Sequence, residues 1–125
     1  MKLPVLVFDP EPVAAGVLAM QLRRAGFSTY VTSSGSAAIA NAGQRQFAAI
    51  VVIADLADSQ MRHCLRGIRD ADPDAWLVVI SDPTLDGARR VAHELGIDAR
   101  IDMPFTVSDL AQRLSVLPVR APPVV

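Results

Sequence analysis

The chain carries a single cysteine, Cys64, so it can form no internal disulfide, and no Cys or His pairs stand at metal-ligand spacing. Neither sign of charge dominates. Twelve Lys and Arg face 13 Asp and Glu, a net charge of −1, which leaves no electrostatic footprint for nucleic acid or an acidic membrane surface. The apolar run after Lys2 is broken by Asp9, too early for a signal peptide or a membrane span. Gly35 and Gly43 do not make a phosphate loop, and no Gly-x-Gly-x-x-Gly follows the first apolar run. There is no internal repeat and no low-complexity tract. A reducing, cytoplasmic setting is the expectation these absences leave.

What the chain has is material for a core. Hydrophobic residues make up 51% and charged residues 20%, and 125 residues suit one domain with one core. We expect that domain over residues 1–117, with 118–125, containing Pro122-Pro123, as a tail or the start of a linker.

The elements alternate. Val5 to Phe8 is a continuous apolar run of the kind buried on both faces of a sheet. Val13, Val17, Leu18 and Leu22 recur at helical spacing to Ala25, with Arg23 and Arg24 in the last turn and Gly26 as a stop. Phe27 to Val31 predicts a second strand. Ser34 or Ser36 caps a helix through Ala42, and Ala49 to Ile53 is the third and most hydrophobic strand. Met61, Leu65 and Ile68 mark a helix over 59–70, ended by the Asp72-Pro73-Asp74 turn. Trp76 to Ile80, with Trp76 anchoring its core edge, and Arg100 to Met103 are the last two strands. Helices follow them, the first starting at Thr84 or Asp86 and stopped by Gly96, the second capped by Thr106 or Ser108. Five strands alternating with five helices imply right-handed crossovers and a parallel sheet covered on both faces.

In such a sheet ligands gather at the carboxyl ends of the strands. Asp9, Pro10, Glu11, Asp55, Ser81, Asp82 and Met103 fall there. Four carboxylates at one end suit a hard cation such as magnesium; they equally suit strand ends that simply leave the core. His63 and Cys64 adjoin on one helix with no partner residue that would make a nucleophile or metal site, and His93 reads as a solvated helix face.

Several spacings agree in resembling the response-regulator receiver family over about residues 3 to 117. Val7-Phe8-Asp9-Pro10-Glu11-Pro12 looks like its acidic opening, Ser81 matches its strand-end hydroxyl, and Gly96-Ile97-Asp98-Ala99-Arg100-Ile101-Asp102-Met103-Pro104-Phe105 looks like its last strand. The resemblance implies a flavodoxin-like (βα)5 sandwich with strand order 2-1-3-4-5 and no enzymatic activity. It implies a role in two-component signalling.

The departures carry as much as the matches. Pro10 stands at the second acid, Ile53 at the phosphorylated Asp, and Met103 at the lysine that meets the acyl phosphate. A thioether has neither donor nor charge. An acyl-phosphate site needs a carboxylate nucleophile, a cation and donors for the new charge. The resemblance therefore implies a degenerate site of Asp9, Ile53, Asp55, Ser81 and Met103 and a module that works by protein contact without phosphate. Asp55, two residues past Ile53 and displaced by roughly 6–7 Å if the strand continued, keeps an alternative open: a working acceptor with Asp9, Glu11 and Asp55 around magnesium, the one reading that needs a cofactor. A small flavodoxin-like ligand-binding domain or enzyme in the same crevice is a further alternative, since fold alone does not decide function.

Arg100 stands where the family carries a Tyr or Phe, and we expect its side chain to reach solvent or a partner. With Arg89, Arg90 and Arg113 it would form an interaction surface on the fourth helix, fifth strand and fifth helix, for a protein partner or a second copy. The family also implies a cis bond between Met103 and Pro104. Partner, pathway, any effector domain and oligomeric state are not legible in the residues.

Overall fold

The computed structural model describes residues 2–82 and 88–117. Ten elements follow in strict alternation: β1 Pro4–Phe8, α1 Pro12–Arg24, β2 Ser28–Thr32, α2 Gly35–Gln44, β3 Ala49–Ile53, α3 Ser59–Ala71, β4 Trp76–Ser81, α4 Ala88–Glu94, β5 Ala99–Asp102 and α5 Val107–Ser115. The five strands are parallel in the order β2-β1-β3-β4-β5. The expected sandwich, with its strand order, is the observed one. The expected tail at 118–125 and the expected helix start at Thr84 or Asp86 lie outside the described residues.

Strand alternation divides the core into two. Leu6, Phe8, Ile50, Val52, Leu77 and Val79 point to the side covered by α2, α3 and the end of α4. Val5, Val7, Ala49, Val51, Val78 and Ile80 point to the side covered by α1 and α5, where Trp76 packs at the margin. A sheet covered on both faces explains why its middle strands read as unbroken apolar runs. Each of the buried valines, leucines, isoleucines and Phe8 contributes about 1.5–3 kcal/mol on burial.

Local signals set the boundaries. Ser34 Oγ accepts from the Ala37 amide, Asp58 Oδ1 from Gln60, and Thr106 Oγ1 from Asp109, capping α2, α3 and α5. Asp72 Oδ1 accepts from the amides of Asp74 and Ala75, which builds the turn into β4. Gly26 after α1 adopts φ of 103°, a conformation that stops the helix without strain.

One expectation is corrected. The residues α1 buries are Ala15, Leu18, Ala19 and Leu22, whereas Val13 is 73% exposed and Val17 46%. Leu18 and Leu22 of the expected stripe are buried, and Ala15 and Ala19 rather than Val13 and Val17 accompany them on the sheet-facing side.

Candidate functional site: the carboxyl-end crevice and the groove beside the last strand

Register brings the crevice together. In β1 and β3, Phe8 lies level with Val52, so the next residues, Asp9 and Ile53, come side by side where the strands end. In β4 and β5, Ser81 lies level with Asp102, and Met103 follows with its amide donating to the Ser81 carbonyl, 3.0 Å away. A cavity of about 540 Å³ opens there, lined by Asp9, Pro10, Glu11, Ile53, Ala54, Asp55, Asp82 and Met103. Every residue expected at the crevice is present except Ser81, whose side chain is buried beneath it.

Asp9 is only 6% exposed, and its Oδ1 accepts from the Glu11 amide at 2.9 Å. That bond turns the chain from β1 into α1. Asp55 is exposed and belongs to a turn, since β3 ends at Ile53. Its Oδ1 accepts from the Ala57 amide at 2.9 Å, and its carbonyl accepts from Asp58. The continued strand that would have aimed Asp55 alongside Asp9 is therefore not formed. The position level with Asp9 is held by the half-buried, apolar Ile53.

The donor set does not match a small octahedral cation. Pro10 offers no side-chain oxygen, and magnesium needs several oxygens in near-ideal places. Among the described residues no three of His, Cys, Asp and Glu come close enough to hold a metal ion, although Asp9, Glu11 and Asp55 share the crevice wall. The chain's one lysine, Lys2, precedes β1 at the opposite end of the sheet. Met103, 39% exposed, closes the crevice where the resemblance expects an ammonium group.

A cation does stand nearby, turned another way. The Arg100 side chain was expected to reach solvent or a partner; in the isolated chain it is 21% accessible. It folds back so that Nη1 bonds the Asp102 carboxylate and donates to Ser81 Oγ at 3.4 Å. Two acceptors two residues and one strand away hold it more cheaply than water does. It forms one wall of a second cavity, about 580 Å³, shared with Asp102, Phe105, Asp109, Gln112 and Arg113. Of the arginines expected to make one surface, Arg100 and Arg113 therefore meet. Arg90 stands apart and 80% exposed, 4.0 Å from Glu94, and the side chain of Arg89 lies outside those described.

Sequence reasoning missed Arg69. Its guanidinium donates to the carbonyls of Gly96, Pro73 and Ala75 and pairs with Asp98 at 2.7 Å. Asp98 in turn accepts from the Leu77 amide at 2.8 Å. No local pattern announces a contact between residues 27 to 29 positions apart. Cys64 is half-buried, its Sγ 3.7 Å from the Gly35 carbonyl, and burial pushes its thiol pKa up. His93 is exposed, as expected. The Met103–Pro104 bond is cis.

This arrangement is the fold of response-regulator receiver domains. No protein-family model matches the chain. It is similar to the probable transcriptional regulatory protein TcrX of Mycobacterium tuberculosis, 28% identical over 113 residues, 90% of this chain and 48% of that protein. The chain thus spans about half the length of that relative. Among solved structures it resembles the receiver domain of the Pseudomonas aeruginosa sensor histidine kinase PA1611, described with magnesium in its active-site cleft. The TM-score is 0.77 at 20% identity, over 94% of this chain and 98% of that one. It also resembles the Vibrio cholerae chemotaxis protein CheY4, with a TM-score of 0.78 at 18% identity, over 94% and 100% of the two chains. No helix among the described residues is long and apolar enough to cross a membrane.

Proposed function

We propose that this chain is a receiver-like module of two-component signalling that acts in the cytoplasm by protein contact, without an aspartyl phosphate and without enzymatic activity of its own. The observation that carries the reading is the β1–β3 register, Phe8 level with Val52, which brings Ile53 beside Asp9 as the strands end. Phosphoryl transfer needs a carboxylate nucleophile held against neutralising cations, and an isoleucine supplies no oxygen at that position. Pro10 and Met103 remove the second acid and the ammonium from the same crevice. The groove between β5 and α5, lined by Arg100, Phe105 and Arg113 among others, is the surface through which a partner would be held. Guanidinium groups pair with carboxylates and stack on rings at interfaces.

The test is intact mass after incubation with magnesium and acetyl phosphate. The expected result is no added phosphoryl group. One specific observation favours a second reading: the Asp55 carboxylate lines the same crevice as Asp9. A phosphoryl gain abolished by Asp55→Asn would replace the first reading with this one. Under the first reading Pro10→Asp alone restores nothing, because acceptor and ammonium are still absent. Calorimetry should likewise find magnesium binding no tighter than about millimolar, given the incomplete set of oxygens.

A further inference from the structure

The carboxyl-end crevice is lined by carboxylates and, among the described residues, by no Lys, Arg or His. Asp9, Glu11 and Asp55 enter none of the ion pairs formed among the described residues. The rest of the lining is apolar, with Ile53, Ala54 and Met103 among it. The groove beside β5 differs, because there Arg100 and Arg113 stand with Asp102 and Asp109. In a chain of net charge −1, the imbalance at the crevice is local.

Asp9 sharpens the point. A carboxylate this deeply buried, 6% exposed, ordinarily has a cation beside it, since burying an unpaired charge is unfavourable. Its Oδ1 accepts from the Glu11 amide, while its Oδ2 accepts from no group among the described residues. That oxygen is not sealed in the interior, and the space open to it is the crevice that Asp9 lines. Glu11 and Asp55 are exposed, nearer the mouth.

We propose that the crevice takes an organic cation, and that its source is a lysine side chain in a basic segment of a partner protein. The oxygen set suits no small divalent ion, as described above, but an ammonium on an alkyl stem matches both halves of the lining. Its head meets Asp9 Oδ2, and its methylenes lie along Ile53, Ala54 and Met103. The chain does not supply this group itself, since its one lysine, Lys2, precedes β1 at the opposite end of the sheet.

The Glu11 amide selects ammonium over guanidinium. A guanidinium fork pairs best with both oxygens of a carboxylate, and one oxygen of Asp9 is already engaged; a point charge needs only the other. The mouth selects a basic segment over a free monoamine. Glu11 and Asp55 add attraction only for a ligand that brings further cations outside the crevice. This contact goes beyond the groove contact proposed above and holds whether or not that groove is used.

Amide NMR titration of the whole chain with a capped trilysine peptide tests it. The amides of Glu11 and Met103 should shift and saturate. Triarginine should bind at least about fivefold more weakly, trilysine acetylated at every Nζ should not bind, and butylamine should bind about fivefold more weakly. Asp9→Asn keeps an oxygen for the Glu11 amide but removes the charge, and should weaken binding at least about tenfold. Asp55→Asn, at the exposed mouth, should weaken it less than about fivefold. Met103→Lys, at a 39% exposed position, leaves every carboxylate in place and supplies an internal ammonium, so it should abolish binding even if Asp9→Asn fails to fold. The absence of any saturable shift overturns the proposal. So do shifts confined to Asp109 and Gln112 in the groove, binding that survives Met103→Lys, or displacement of the peptide by an equal concentration of magnesium. Triarginine or butylamine binding as tightly as trilysine overturns the choice of a partner's lysine.

Discussion

The two ends of β5 are held by arginines in different ways. Where the strand enters the sheet, Arg69 binds three carbonyls from two loops and the Asp98 carboxylate. Where it leaves, Arg100 binds one hydroxyl and one neighbouring carboxylate. The two arginine side chains are almost equally covered, 18% and 21% accessible. Coverage alone therefore does not separate a structural cation from an interacting one; the partners do. Of the carbonyls Arg69 binds, that of the buried Ala75 is the one water does not readily reach once Arg69 is gone. The Asp102 carboxylate, more than half exposed, has water at hand, and Arg100 can exchange it for a partner's carboxylate at little cost.

The largest effect expected from this contrast is at Arg69. Arg69→Ala should cost about 2–3 kcal/mol, because several charge-assisted bonds go together and the buried Ala75 carbonyl loses its donor. Urea denaturation measures it, and a loss under about 0.5 kcal/mol would show that the brace is idle. Gly96 belongs to the same brace: its φ of 69° and an added Cβ only 3.3 Å from Arg69 Nε make Gly96→Ala costly as well, by about 1–2 kcal/mol.

Between the extremes lies the cap that starts α5 beside the groove. Thr106 Oγ1 accepts from the Asp109 amide at 3.1 Å, and Thr106→Ala should cost about 1 kcal/mol. At the other end of β5, Arg100→Ala should cost less than about 1 kcal/mol while weakening partner capture through the groove. If stability fell as far as in Arg69→Ala with binding unchanged, the contrast between the two ends would fail and Arg100 would be a second brace.

The fold was legible because its signals were redundant. Apolar strands, stops at Gly26 and Gly96, and caps at Ser34 and Thr106 agree with one another and with a sheet covered on both faces. The misreadings share a physical cause. Helix α1 is apolar on two sides, so periodicity could not choose between the face of Val13 and Val17 and the face of Ala15 and Ala19. At Arg100, charge argued for solvent or a partner, but Ser81 and Asp102 were brought within reach by strand pairing, which no local pattern encodes. The crevice was read nearly residue for residue, since strand ends can be counted. The end of β3 at Ile53 was read from the sequence as well, and that end is what places Ile53 rather than Asp55 beside Asp9.

The smallest effect expected is at Cys64, on the same helix as Arg69 but remote from both ends of β5. Burial disfavours the thiolate, so the folded-state pKa lies above the ordinary value of 9.0. A raised pKa gives stability that is fully present below the unfolded value and lost as pH rises past about 9 through the folded one. Stability should therefore decline slightly at alkaline pH, and Cys64→Ala should remove that component while leaving the costs of Arg69→Ala and Arg100→Ala unchanged, because distant sites add. Alkylation by iodoacetamide offers a direct reading, as only the thiolate reacts. Its rate in the folded chain should rise at higher pH than in the urea-unfolded chain. Coincident pH profiles would mean that the thiol is as open as in the unfolded chain and that the α2–α3 contact at Gly35 does not shield it.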